Sequence, residues 1–329
     1  NNNNNTCTTK YTFLDDQKLN SEKEIDMISF GNYVDIPTFY LIVANHYTHA
    51  VNINGDYYCY TFLDEIRGNQ VFLGIPFKCD TSFCYYIIGT LDNSDKLNLY
   101  LIANVAQQCQ CQIADKIEIE GDSYNFNCHL LDCSTSDVKI TCFSQNNVSK
   151  KIISSNYIIN LSSQKIIKAS TKSADNNGGQ IIKSYLSNDG STALVCAFDE
   201  ENNYDCKTFD INNNNWISNT DIVLDNCMFR FSSLNLDKIN DSNEYYLYCF
   251  QSSNKLKTIK LNSNFEIINS EENGVYSLNE AVANDCNQYS LISLVKNDNG
   301  NIDYIIFCDT KILKYQIEKI IDFSTTIIQ

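Results

Sequence analysis

Four apolar strands that end at or near a cysteine recur through this chain at nearly even intervals, and that rhythm narrows the folds open to it. They are Val138–Phe143, Ala193–Ala197, Tyr245–Phe250 and Tyr304–Cys308. Their cysteines, Cys142, Cys196, Cys249 and Cys308, stand 54, 53 and 59 positions apart. Leu99–Ala103 and Phe39–Ala44 read as the same strand with alanine in the cysteine position. Another strand follows each copy, as in Lys207-Thr208-Phe209, Lys257-Thr258-Ile259 and Lys314-Tyr315-Gln316-Ile317. A second echo links Tyr11-Thr12-Phe13-Leu14-Asp15-Asp16 to Tyr60-Thr61-Phe62-Leu63-Asp64-Glu65, 49 positions later. Repeats of this length hold three or four short strands, and each unit buries its faces by stacking on its neighbours.

The residue supply agrees with an all-β chain. Tyrosine (21) and phenylalanine (17) stand beside many isoleucines, residue types that fit a pleated, half-buried surface. No stretch carries a helical period over a convincing length. With only 11 glycines and 2 prolines among 329 residues, turns must be made by something else, and asparagine is the candidate. Its short amide tolerates left-handed backbone and bonds to the neighbouring main chain.

The cysteines read as a disulfide framework. In an antiparallel hairpin, positions equidistant from the turn face each other at Cα separations within disulfide range. Cys128 and Cys142 are centred on residue 135, Cys196 and Cys206 on 201, Cys227 and Cys249 on 238, and Cys286 and Cys308 on 297, each within a polar segment. These four pairs are expected to be bonded. Cys84 falls opposite Ala103 in this frame and needs another partner, with Cys79, Cys109 and Cys111 in range. Cys7, Cys59, Cys79, Cys84, Cys109, Cys111 and Cys133 stay unassigned, and their odd number leaves at least one free or bonded outside the chain. Fifteen cysteines without a CxxC pair and with three histidines favour an oxidising compartment over a zinc protein. Sequons at Asn4, Asn147, Asn160 and Asn240 point the same way as candidate N-glycan acceptors. The chain begins at Asn1 and has no apolar run near twenty residues, so the expected form is a mature chain without its leader or a piece cut from a longer chain, not inserted in a membrane.

A net charge of −16 and the lack of basic stripes argue against nucleic acid as a partner. Catalytic motifs are missing: there is no Gly-x-Ser-x-Gly, P-loop or Gly-x-Gly-x-x-Gly, and no enzyme is expected. His46 and His49 read as a solvated pair and His129 as a strand residue. Asn297–Asn301 with Asp303 lacks the alternating carboxylates of a calcium loop. No metal or cofactor is expected.

The repeated strands resemble those of β-propellers in general. The resemblance implies six or seven blades over residues 8–319, preceded by a tail at 1–7 and followed by a strand at 320–329. Tandem β-sandwiches are the alternative fold. Ser187-Asn188-Asp189-Gly190-Ser191-Thr192 is similar to the Asp-box turn of sialidase-like propellers. It lacks one position and the tryptophan, so a plain hairpin turn is expected. Together these features imply a secreted or cell-surface structural or adhesive glycoprotein. Its C-terminal strand, rich in β-branched residues, would either close its own ring or join a second copy into a homo-oligomer or filament. The alternatives are a lectin-like propeller that uses tyrosine faces and amides on sugar hydroxyls, and an unrecognised glycosidase.

Overall fold

A computed structural model describes the backbone of residues 27–33, 36–44, 47–52, 58–62, 64–66, 69–79, 83–105, 110–132, 136–176, 179, 181–199, 201–227, 234–238, 244–252, 255–269, 273–278, 291–296, 302–308 and 311–319, with side chains described chiefly from 65 to 278. Among them the one helical piece is a 3-10 turn at Asp64–Ile66.

Everything else regular is antiparallel strand. The first meander is β1 (Met27–Tyr33), β2 (Ile36–Ala44), β3 (Tyr47–Asn52) and β4 (Tyr58–Phe62). The second is β5 (Gln70–Cys79), β6 (Phe83–Leu91), β7 (Leu97–Val105) and β8 (Gln110–Glu118). The third is β9 (Asn127–Asp132), β10 (Asp137–Asn146), β11 (Lys151–Asn160) and β12 (Lys165–Asp175). The fourth is β13 (Ile181–Leu186), β14 (Thr192–Phe198), β15 (Tyr204–Asp210) and β16 (Asn215–Leu224). The fifth is β17 (Leu234–Lys238), β18 (Tyr245–Ser252), β19 (Lys255–Leu261) and β20 (Gly274–Leu278). Three strands of a sixth follow: β21 (Leu291–Lys296), β22 (Ile302–Cys308) and β23 (Lys311–Lys319). In each sheet, hydrogen-bonded neighbours follow chain order, and β23 also pairs with β20 to join the last two meanders edge to edge.

This repeated four-strand order is that of propeller blades, and the fold is an all-β propeller type. Tandem sandwiches are excluded by the same order, because their Greek-key connections return strands out of sequence.

The chain divides into two compact units, Asn1–Ile182 and Lys183–Gln329. In the first, consecutive meanders stack in order, with β1 beside β5, β5 beside β9, β4 beside β8 and β8 beside β12. The core between the second and third meanders takes Tyr85 and Ile87 from β6 and Leu97, Leu99, Leu101 and Ala103 from β7 against Val138, Ile140, Cys142, Tyr157 and Ile159. The opposite face of β6 and β7 presents Tyr86, Ile88, Tyr100 and Ile102, which close over Ile66. Both faces of the middle strands are thus covered, which is why they read as continuous apolar runs. In the second unit β17 adjoins β21, and every residue of β14 is buried.

Three of the four expected cystines are present. Cys128 faces Cys142 in the β9–β10 register, and Cys196 faces Cys206 in the β14–β15 register. A closed loop of this size contributes about 3 kcal/mol by restricting the unfolded chain. Cys227–Cys249 is also bonded, but for a different reason than symmetry about a turn. Leu234, not Cys227, faces Cys249 in the β17–β18 ladder. Cys227 lies ahead of β17, where its N–H donates to the carbonyl of Asn202 in the β14–β15 turn. Cys286 lies outside the described residues, so the fourth pair does too.

The repeat frame also needs a correction. Cys142, Cys196, Cys249 and Cys308 all sit on the second strand of their meanders, but Leu99–Ala103 belongs to a third strand. Cys84 accordingly faces Asn104 and not Ala103. Tyr60-Thr61-Phe62 ends a fourth strand, while residues 1–26 and 320–329 lie outside the described residues.

Close packing across the second meander predicts one substitution effect. A Cβ on Gly89 would lie 2.8 Å from Leu73 Cβ, its cross-strand partner, and 2.9 Å from Phe126 Cζ. Gly89→Ala is expected to destabilise the chain by about 1–3 kcal/mol, read as a lower urea midpoint at unchanged slope. An unchanged midpoint would contradict this packing.

Candidate functional site

Among the described residues, several acidic and amide side chains that the sequence offers as ligand groups shape turns. Asp92, Asp199 and Asn262 open three turns of one design. The Oδ1 of each accepts the N–H of the residues two and four places on: Ser94 and Lys96, Glu201 and Asn203, and Asn264 and Glu266, all at 2.8–3.0 Å. The residue three places on is left-handed: Asp95 (φ 58°), Asn202 (66°) and Phe265 (62°). Asn146, Asn160 and Asp210 open a second type. Each accepts the N–H three residues on, and the next residue, Lys150, Gln164 or Asn214, is left-handed. Asparagine therefore acts in these turns chiefly as a side-chain acceptor. Of seven described non-glycine residues with positive φ, three are asparagine.

The Ser187–Thr192 turn is the expected hairpin turn. Ser187 and Ser191 hydroxyls donate to Asp189 Oδ1 at 2.7 and 2.8 Å, and Gly190 supplies the positive φ of 69°. Above it, Tyr245 Oη accepts the N–H of Asn188 at 2.9 Å.

Of the sequons, Asn147 falls on the turn after β10, and Asn160 is the last residue of β11, where the next turn opens. Asn147 Nδ2 donates to the Asp122 carbonyl at 3.3 Å, and Asn160 Nδ2 donates to Asp137 at 2.7 Å. Asn4 and Asn240 lie outside the described residues, as do His46 and Asn297–Asn301. His49 sits in β3 opposite Ile42, and Asp303 sits in β22. His129 lies opposite Thr141 with its ring 6.2 Å from that of Phe143, in agreement with a strand role. Among the described residues, no group of three or more His, Cys, Asp or Glu is placed to hold a metal ion, and no helix is long and apolar enough to cross a membrane.

Tyrosine is mostly structural here. Tyr86, Tyr100, Tyr157, Tyr204 and Tyr248 are fully buried, and burial pushes the Tyr157 phenol up to about 12. Trp216, half-buried on β16, packs edge-on against Phe209 at 5.0 Å. Tyr124, on the β8–β9 connection, is 54% exposed.

One polar group in the second unit stands apart from the turns. Lys183 and Tyr185 alternate on β13, the first strand of its meander. Tyr185 Oη donates to the Leu234 carbonyl of β17 at 2.7 Å, and burial raises its phenol well above the ordinary range, with Tyr204 and Asp237 adding to the effect. Asp237, also on β17, accepts Tyr248 Oη at 2.5 Å. Burial lowers the proton affinity of Lys183, and no carboxylate among the described residues pairs with it. Lys183 and Tyr185 thus lie on β13, Asp237 on β17 and Tyr248 on the second strand β18, with the two phenols already engaged by the Leu234 carbonyl and Asp237. A Lys-x-Tyr alternation in a strand carries no signal that sequence reasoning could have used.

No family model matches the chain, and no curated protein matches it. Among solved structures, the WD40 domain of Toxoplasma gondii coronin is similar at 8% identity over 89% of this chain and 69% of that one, with a TM-score of 0.49. A fungal lectin with a six-bladed β-propeller fold, Aleuria aurantia lectin, is similar at 8% identity over 92% and 93%, with a TM-score of 0.43. TolB from Acinetobacter baumannii is similar at 11% identity over 85% of this chain, which spans 60% of its length, with a TM-score of 0.35. The fold assignment rests on this chain's own strand order.

The turn carboxylates predict an acid response. The Lys96 N–H holds Asp92 below the usual carboxylate range, the Ser187 hydroxyl does so for Asp189, and the Asn213 N–H for Asp210. A folded pKa below the unfolded one stabilises above about pH 4, and the gain is lost as pH falls through the folded value. The chain should therefore melt at lower temperature on acidification from about pH 5 to pH 2. The triple variant D92N/D189N/D210N keeps an acceptor oxygen at each turn and should show a flatter profile. A parallel profile would contradict this account.

Proposed function

We propose that the chain is a disulfide-bonded extracellular glycoprotein with a structural or adhesive role, not an enzyme, and that it acts as a protomer of a homo-oligomer or filament. The observation that carries this reading is the buried cystine set. Cys128–Cys142 and Cys196–Cys206 lie within their meanders, Cys227–Cys249 ties the segment ahead of β17 to β18, and all six cysteines are at 2% exposure or less. Such bridges form and persist in oxidising compartments, which supports a secreted or cell-surface location. N-glycans belong to the same reading, with Asn147 on a turn and Asn160 at the end of β11. The C-terminal segment 320–329 is the element proposed to join copies. The test uses protein secreted by a eukaryotic host. Glycosidase treatment should convert at least two of Asn4, Asn147, Asn160 and Asn240 to Asp, and light scattering should show species larger than one chain. Deleting residues 320–329 should leave a folded monomer. Four unmodified sequons with a monomeric parent would overturn the reading.

A second reading, carbohydrate binding, is favoured by Lys183 on β13, an ammonium that pairs with no carboxylate among the described residues. Sugar hydroxyls accept hydrogen bonds from such an ammonium, whereas the Tyr185 and Tyr248 hydroxyls are already bonded within the protein. On a glycan array the parent should retain a defined set of sugars that Lys183→Met loses at least tenfold. Equal binding by parent and variant would remove this group from consideration.

A further inference from the structure

The second meander carries three cysteines on one row of its ladder. Cys79 on β5 faces Cys84 on β6, Cys84 faces Asn104 on β7, and Asn104 faces Cys111 on β8. Directly opposed positions in adjacent antiparallel strands are also the arrangement of Cys128–Cys142 and Cys196–Cys206, whose Cα atoms are 4.0 and 3.9 Å apart. We propose that Cys79 and Cys84 form a further cystine of this kind, which closes the β5–β6 hairpin at its turn. Cys111 stands two strand spacings from Cys84, about 10 Å, beyond the Cα separation that a disulfide spans. Between Cys79 and Cys111 the row therefore selects Cys79, while Cys109 lies outside the described residues.

Chemically, the two thiols lose two protons and two electrons as the S–S bond forms. The oxidant is a protein disulfide of the thiol–disulfide oxidoreductase class, which is reduced to two thiols by exchange through a mixed disulfide. The proposal rests on the oxidising-compartment reading above, and the test separates the two. Secreted full-length chain, purified without reductant, is denatured, alkylated and digested with a protease that cleaves before aspartate. Cleavage before Asp80 falls inside the proposed loop and yields Asp64–Cys79 and Asp80–Leu91, each with one cysteine. The expected product is these two peptides linked, lighter by two hydrogens than the pair of free thiols and separated by reduction. Cys79→Ser should expose Cys84 to alkylation, from none to stoichiometric, and Cys84→Ser should do the same for Cys79. Recovery of both parent peptides alkylated, with Cys128–Cys142 and Cys196–Cys206 still linked, overturns this cystine alone. A link from Asp80–Leu91 to Asp95–Ala114, which carries Cys109 and Cys111, also overturns it. Alkylation at all these cysteines overturns the compartment reading with it.

Discussion

A strand covered on both faces has no solvent-facing side on which to place charge, and the arrangement of these meanders follows from that restriction. In β14 the run Thr192-Ala193-Leu194-Val195-Cys196-Ala197-Phe198 is buried from end to end. In β6 and β7 one alternate set meets the third meander while the other closes over Ile66. Alternation as a sequence signal disappears in such strands. Outer strands behave differently: most of β12 is half-buried or exposed, and its lysines reach Asp115 and Glu120 on the neighbouring fourth-strand side. The double coverage also explains where cysteine is used. A small apolar side chain fits the narrow space between sheets, and pairing with the next strand removes the thiol.

That coverage leaves the turns and the outer strands as the places for charge. Asp92, Asp189 and Asp210 bond to N–H or hydroxyl groups of their own turns, so each carboxylate shapes the backbone beside it. Asp115 combines both settings. Its burial opposes ionisation, yet the Ile166 N–H and the Lys165 ammonium, each within 3 Å, keep it below the ordinary carboxylate range. An acidic chain can thus carry its negative charge close to the sheets without a matching excess of lysine.

How much of this could be read from sequence depended on whether a signal was local. The second-strand cysteines were legible because the same covered position recurs in successive meanders. Turns were legible as polar clusters, and the Cys196–Cys206 hairpin follows directly from symmetry about Glu200–Asn203. The phase of Leu99–Ala103 was not, because second and third strands are equally apolar when both are sandwiched. Symmetry about residue 238 points to the Cys227–Cys249 pair, although Leu234, not Cys227, holds the ladder position opposite Cys249. The Lys183, Tyr185 and Asp237 group was illegible, since β13 and β17 are about fifty residues apart and only their packing brings Tyr185 to Leu234.

The bond between Cys227 and Cys249 has a mechanical consequence. It encloses the whole of β17 in a covalent loop, so tension along the backbone passes through sulfur and skips the strand. A separation of 22 residues, at about 3.5 Å each, withholds roughly 70 Å of contour length for as long as the bridge lasts. Under pulling, the fifth meander can lose its later strands while its first remains a closed lasso on β18. Reduction would release that hidden length in a single step, which turns a redox change into a change in extensibility.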